Sequence, residues 1–393
     1  MKRIYLDYAA ATPIDDKVND LVFRYSKKFS GNASSLYYSG REAKRIIRES
    51  KENIGKVWEA SPEEIIFTGS GTESDNLAIF GVARAHKKQG RHIVVSAIEH
   101  LAVLRACDYL EKHEGFEITR LPVNKSGIIE LETFKRSLRK DTVLVSMMYA
   151  NNEIGTVQPI AKFSKAIREF RKFKIENLKL KINVKTPFFH VDACQAAGAL
   201  DINVQRLGVD LMTLNGSKIY GPKGTGLLFV RRGIRLTPMV IGGSQERGLR
   251  AGTENPALIA GLAKALEMAD KNKAKESKRL VQLRGYLITA VLKKIPDARL
   301  NGDPGMRLPN NTNFSFKDID GEMLVYKLDE KGIEVSTGSA CTSTAMGTSH
   351  VIRALGGDKN YGNLRVTLGH QTTKKELEYF VKVLPSIIEK LRS

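Results

Sequence analysis

Cysteine is scarce: the chain has three in 393 residues, at positions 107, 194 and 341, and no CxxC pair. That spacing argues against a disulfide framework and a zinc knuckle. It fits a reducing compartment, so a cytoplasmic location is expected. The seven histidines include no HExxH spacing, which removes the common zinc-protease pattern. Long apolar runs are missing too. The longest, such as 224–230, are strand-sized and far short of the ~20 residues that cross a bilayer. Asp7 breaks the amino-terminal stretch before a secretory signal can form, so neither membrane insertion nor export is expected. There is no Walker motif, convincing GxGxxG, internal repeat or low-complexity tract. Acid is in deficit, with 43 Asp and Glu against 63 Lys and Arg, a formal charge of +20. The excess invites a nucleic-acid reading. Many of the bases, however, alternate with acids along helix-like stretches such as 41–56 and 267–279, as on a solvated surface. Direct nucleic-acid binding is therefore not expected, while attraction to an acidic or tRNA-bearing partner stays open.

What is present is a chain too long for one compact core, which predicts a large domain with a smaller one attached. From residue 65 an apolar strand, a glycine or polar turn and an amphipathic helix recur. The units are EEIIFTGSGTESDN, RHIVVSAIEH, DTVLVSMMYANNEIG, TPFFHVDACQ, VDLMTLNGSK and GTGLLFVRR. Short apolar runs separated by helices predict an α/β fold with a mostly parallel sheet buried on both faces. Functional residues then gather beyond the carboxyl ends of the strands, where Thr72, His100, Asn152, Asp192 and Lys218 stand. After about residue 255 the rhythm changes. A long helical region at 256–295, in one or more helices, precedes strand-like segments near 313–316 and 332–336, a loop at 338–349 and a closing helix at 374–391. The expected division is 15–255 for the large domain, and 1–14 with 256–393 for a small α+β domain. The stretch 171–185, with six bases and one acid, reads as an extended helix or a surface excursion.

Several residues invite chemistry, each with a plainer reading beside it. The turn 69–72 lies between a strand and a helix, where backbone N–H groups and the helix dipole suit a phosphate. Gly71 permits close approach and Thr72 adds a hydroxyl; a purely structural turn fits as well. Lys218 stands where the run 209–214 opens into IYGPKGTG, a setting in which an amine loses its proton more readily and can form an imine. A solvated lysine competes. Asp192, ending a strand pattern, could keep a pyridine nitrogen protonated, with Gln195 available to a ring hydroxyl; a cap carboxylate competes. His100 could stack on an aromatic cofactor or move a proton, or else pack in the core. Asn152 could donate to a ring or a substrate carboxylate, or simply form a turn. Arg365 could clamp a carboxylate or close a salt bridge at a domain seam. Cys341 sits in the small, polar SACTST segment, where a thiol meets substrate or stays inert. Cys107 and Cys194 are read as structural.

The landmarks YLDYAAATP, FTGSGTESDN, SAIEH, NNEIG, HVDACQ, KIYGPKG, RAGTEN and GSACTS span essentially the whole chain in one order. In that order they resemble the cysteine desulfurases, within the class-V aminotransferase group of fold-type I pyridoxal-phosphate enzymes. The resemblance implies a large domain with a mostly parallel seven-stranded sheet plus a smaller α+β domain. It also implies pyridoxal 5'-phosphate, L-cysteine as substrate and a homodimer with active sites near the subunit boundary. Lys218 would then carry the cofactor as an imine, Asp192 would pair with the pyridine nitrogen and Gln195 with the ring oxygen. His100 would stack on the ring and assist proton transfer. Gly71 and Thr72 would hold phosphate together with Thr253 of the partner subunit. Asn152 and Arg365 would position the substrate carboxylate, and Cys341 would receive sulfur and pass it to an acceptor. An iron–sulfur scaffold and a tRNA-sulfuration protein both suit that last step.

This chain also departs from the family pattern. Where the family has SxHK, it reads Asn215-Gly-Ser217-Lys218, so two hydrogen-bonding side chains remain but the imidazole is gone. The GNPSSxH pattern becomes GNASSLY, without its proline and histidine. The sequence stops at Ser393, where some members carry a further tail that docks a cluster scaffold, so that docking mode is not expected. Alternatives are a selenocysteine lyase, another class-V aminotransferase, or a catalytically weakened structural or RNA-associated member of the fold.

Overall fold

The computed structural model describes residues 3–28, 30–177, 186–338, 349–358 and 360–392. Its strands, in chain order, are β1 (Ile4–Tyr5), β2 (Ile65–Thr68), β3 (His92–Ser96), β4 (Glu117–Leu121), β5 (Thr142–Met148), β6 (Phe188–Asp192), β7 (Leu211–Asn215) and β8 (Gly226–Val230). They continue with β9 (Arg299–Leu300), β10 (Asn311–Lys317), β11 (Ile333–Glu334) and β12 (Tyr361–Thr367). Seven of them form one sheet in the order β2-β8-β7-β6-β5-β3-β4, in which β8 runs against both neighbours. This is the expected mostly parallel sheet. Every residue of β2, β3, β5, β6 and β8 is buried, which is why these strands read as continuous apolar runs rather than alternating ones.

Alternation still decides which side each residue serves. Ile65, Phe67, Val94, Phe189 and Val191 join the core on one face of the sheet with Trp58, Phe134 and Phe163. Ile66, Ile93, Val95 and Phe188 join the core on the other with Leu77, Phe80 and Leu110. The polar side chains trapped inside the sheet satisfy one another. His92 bonds Thr142 and Thr119 at 2.8 Å each. His190 bonds Ser146 at 2.8 Å and Thr213 at 3.0 Å.

A separate core forms around Phe314, Phe316, Leu364, Leu377 and Phe380, where β10 pairs antiparallel with β12 and with β9. The helical region that the sequence left as one or more helices is a single helix, Pro256–Lys294, of 39 residues. Asn255 caps it, accepting the Leu258 N–H at 3.1 Å, and proline occupies the first turn, where its missing N–H costs nothing. At 1.5 Å per residue it is roughly 58 Å long, enough to serve both cores: Ile259, Leu262 and Leu266 pack with the sheet, while Leu280, Leu287 and Val291 pack with the second core. The basic stretch at 171–185 begins inside the helix Ile160–Asn177, and its remainder lies outside the described residues. Among the described residues no helix is long and apolar enough to cross a membrane.

Phe163 is fully buried and packs against Phe134 with their rings tilted at 39° and centroids 4.7 Å apart. Phe163→Ala should lower unfolding stability by about 3–5 kcal/mol, read from denaturant unfolding curves. A loss near zero would mean that this face of the sheet collapses freely around the void.

Candidate functional site

The carboxyl ends of the parallel strands open on a cavity of about 280 Å3. Local sequence places each wall. After β2 the chain turns through Gly69 and Ser70 into the helix Gly71–His86, whose first turn Ser70 caps by accepting the Glu73 N–H at 3.1 Å. After β3, His100 caps the helix Leu101–Glu114, its Nδ1 accepting the Ala102 N–H at 3.1 Å. Asn152 and Glu153 follow β5, Asp192 ends β6, and Asn215 ends β7, three residues before Lys218. Arg365 reaches in from β12.

Nine of the residues expected from sequence line this one cavity: Gly71, Thr72, His100, Asn152, Asp192, Gln195, Asn215, Lys218 and Arg365. Ser217 stands just behind the wall, where its hydroxyl donates to Asn215 Oδ1 at 2.9 Å. Thr253 is exposed and does not line the cavity of its own chain. Cys341 lies outside the described residues. Cys107 is fully buried, and burial pushes its thiol far up from the ordinary range, as a structural cysteine requires. Cys194 turns out to be a cavity residue; burial and the Asp192 and Asp75 carboxyls push its thiol well up, so it is held unreactive.

The sequence reading passed over other residues of the wall. Asp75, Glu153 and His350 line it, and Glu99 accepts from the N–H of Met148, another lining residue. Three of them sit inside the motifs TESDN, IEH and NNEIG, whose polar neighbours give no local signal of burial. Asp75 is 2 % exposed, and its Oδ1 has no hydrogen-bond partner among the described residues. Burial, and then the neighbouring Asp192 charge, push its carboxyl well above the usual range. Glu99 is fully buried and raised to about 8, foremost by burial, although it accepts from the Ser96 hydroxyl and the Met148 N–H at 2.7 Å each. Burial lowers His190 to about 4 and lowers His100 as well. Burial thus disfavours the charged forms of Asp75, Glu99, His100 and His190 around Asp192.

The amino-terminal segment closes the opposite side. Lys218 Nζ donates to the Ala10 carbonyl, Gln195 Nε2 donates to the Ala9 carbonyl at 3.0 Å, and Arg365 pairs with Asp7 at 2.7 Å. Arg365 also donates to the Asn152 carbonyl at 3.0 Å and the Gly338 carbonyl at 3.2 Å, while its buried Nε has no described partner. The seam salt bridge and the carboxylate clamp considered for this arginine are therefore compatible. Asp7 occupies one edge of the guanidinium, and the group still faces the cavity.

These residues fit the cofactor that the motifs imply. A Cβ added at Gly71 would stand 2.9 Å from Cys194 Sγ and 3.4 Å from Asn215 Nδ2, so only glycine leaves the helix start open at this point. The first backbone N–H groups of a 16-residue helix and the Asn215 amide then meet in an anion cradle. An amine, a carboxylate and an imidazole share the same cavity. The missing family histidine leaves Asn215 as the side chain at that cradle.

Comparisons agree with this geometry. The family model described as aminotransferase class-V matches residues 4–380. Over 396 residues the chain is 47 % identical to Cysteine desulfurase IscS of Dictyoglomus turgidum, covering 100 % of this chain and 96 % of that protein. A solved structure described as a NifS-like protein superposes with a TM-score of 0.89 at 34 % identity, covering 99 % of this chain and 100 % of that one. Another, SspA in complex with cysteine, gives a TM-score of 0.79 at 31 % identity over 93 % of this chain and 98 % of that one.

The Glu99 carboxyl makes stability depend on pH. Between its ordinary 4.5 and about 8 the unfolded chain has released this proton while the folded chain keeps it. Rising pH therefore costs stability across that window, and the loss is complete above about 8. Glu99→Gln cannot ionise and should flatten this slope. In paired unfolding curves the wild type should fall behind the variant from about 4.5 to about 8. A constant difference across the window would mean that Glu99 is ionised in the fold.

Proposed function

The chain belongs to the aminotransferase class-V family and, within it, to the cysteine desulfurases of the IscS kind, and on that premise we propose how its residues divide the reaction. The protein is a pyridoxal-phosphate enzyme that converts L-cysteine to L-alanine and leaves the sulfur as a persulfide on an enzyme cysteine. Bound in the cavity, the cofactor supplies an electron-withdrawing ring that weakens the substrate's Cα–H and Cβ–S bonds. Gly71 and Thr72 hold its phosphate with Asn215 and Ser217, joined across a homodimer by Thr253 of the partner subunit. Lys218 is its covalent anchor and afterwards moves the proton at the substrate Cα. Asp192 holds the proton at the ring nitrogen, and Gln195 donates to the ring oxygen.

His100 stacks on the ring. Its Nδ1 is committed to the Ala102 N–H, so the neutral imidazole carries its proton on Nε2 and can donate from there. Asn152 and Arg365 orient the substrate carboxylate, and Asp7 and the two flanking carbonyls hold the arginine in place. Cys341 takes the sulfur. In this reading residues 15–255 form the cofactor-binding domain, and 1–14 with 256–393 form the domain bearing the Cys341 loop. The persulfide passes to an acceptor protein in the cytoplasm, an iron–sulfur scaffold or a tRNA-sulfuration protein, by thiol exchange. The observation that carries this assignment is the convergence of Lys218, Asp192 and His100, from three different strand ends, on one cavity.

Two variants test it. Lys218→Ala should lose the lysine linkage that borohydride fixes, and with it the bound-cofactor absorbance; an unchanged fixed linkage would assign the anchor to another lysine. Cys341→Ala should keep that absorbance and lose persulfide formation, followed by mass spectrometry of the persulfide-bearing peptide. Continued transfer of cysteine sulfur to an acceptor would remove Cys341 from the role.

A further inference from the structure

The cavity holds a second imidazole that the roles above leave unused. His350 opens the helix His350–Ala354, which Ser349 caps by accepting the Val351 N–H at 3.1 Å. His350 lines the cavity, as His100 does. The backbone fixes the two rings in complementary ways. His350 Nε2 lies 3.0 Å from the Glu99 carbonyl oxygen. A carbonyl can only accept, so Nε2 carries the hydrogen, and the neutral ring keeps its lone pair on Nδ1. His100 is the reverse case: its Nδ1 lone pair is spent on the Ala102 N–H, leaving Nε2–H to offer. One ring presents a donor and the other an acceptor to the same space.

Sulfur transfer needs such an acceptor. Two thiols enter, that of the substrate and that of the enzyme, bringing two S–H protons. One S–S bond forms and the substrate Cβ–S bond breaks. Both sulfurs are oxidised to the persulfide level, and the electron pair of the broken bond goes to carbon, which is reduced. The persulfide keeps one S–H, so one proton must leave sulfur and end on the carbon that becomes the methyl of alanine. Lys218 serves the Cα proton, and His100 has no lone pair left to offer.

We propose that His350 is a further catalytic residue, the base whose Nδ1 takes the proton released from sulfur and passes it on toward carbon. Glu99 orients it through its backbone carbonyl. Ser349, next in the chain, is tied to Glu153 by a 2.6 Å hydrogen bond, which fixes the point from which His350 enters the cavity.

The proposal rests on the desulfurase reading, and the test separates the two. Glutamine at this position keeps an N–H for the Glu99 carbonyl but has no ring base. In the cofactor-loaded His350→Gln enzyme, exchange of the alanine α-hydrogen in D2O, which moves no sulfur, should proceed as in the wild type. Alanine release from cysteine should fall on the order of 10²-fold, the usual worth of a positioned base. Added imidazole should restore part of the rate lost in His350→Ala, which a merely positional role would not allow. In the wild type at alkaline pH, nitrogen-15 NMR of the resonance absent from His350→Gln should show the Nε2–H tautomer. An equal fall in both reactions, an undiminished rate from cysteine, an imidazole-insensitive deficit or an Nδ1–H tautomer would each overturn the proposal. Absence of alanine exchange in the wild type would instead overturn the desulfurase reading itself.

Discussion

Asp192 ends a strand that is buried along its whole length, and its carboxyl sits where water is scarce and the Asp75 and Glu99 carboxyls are close. Burial disfavours each further charge in such a place, and a neighbouring carboxyl of the same sign adds to that cost. Asp75 and Glu99 are accordingly driven toward their neutral forms, and Cys194 keeps its proton for the same reason. His190 and His100 stay neutral because burial disfavours the imidazolium. The outcome is a cavity floor in which burial holds the titratable neighbours of Asp192 toward their neutral forms. Beneath it His190 bonds Ser146 at 2.8 Å and Thr213 at 3.0 Å, so both of its ring nitrogens are engaged within the sheet.

The cavity also lies between two separately packed cores. Arg365 comes from the strand pair of the second core, and Asn152 and Asp192 come from the sheet; the amino-terminal segment stitches these walls together through Asp7, Ala9 and Ala10. Most of those bonds end on backbone carbonyls, which leaves the side-chain functions of Lys218 and Gln195 pointed at one place without a bulky partner in between. Glu153, also in the wall, ties in a further segment. It accepts from Ser349 and stands 3.1 Å from where a Cβ on Gly338 would be.

Much of this was legible beforehand because its physics is local. Buried parallel strands declare themselves as apolar runs, and the residues just past their ends were picked out by position alone. The exception is β4, which reads EITRL, is partly exposed at the sheet edge, and showed no apolar run to notice. In sequence, Cys194 reads as a structural thiol, because a cysteine following a strand looks the same whether it faces a core or a cavity. Asp75, Glu99 and Glu153 were overlooked although their motifs were quoted, since a carboxylate in a helix or turn ordinarily faces water. Nothing nearby in sequence says that these three do not.

From the sequence alone came the fold class, the family and the placing of Lys218, Asp192 and His100 at strand ends, because order along the chain, strand-end position and motif spacing are properties of a line. The tertiary structure decided which protons the site keeps and which nitrogen of each histidine is spent. Both depend on what lies within a few ångströms across the sheet: Glu99 and Asp75 raised beside Asp192, His100 held by Ala102, His350 held by Glu99. Residues 251 positions apart set that last contact. Burial and hydrogen-bond direction exist only once the chain has closed on itself.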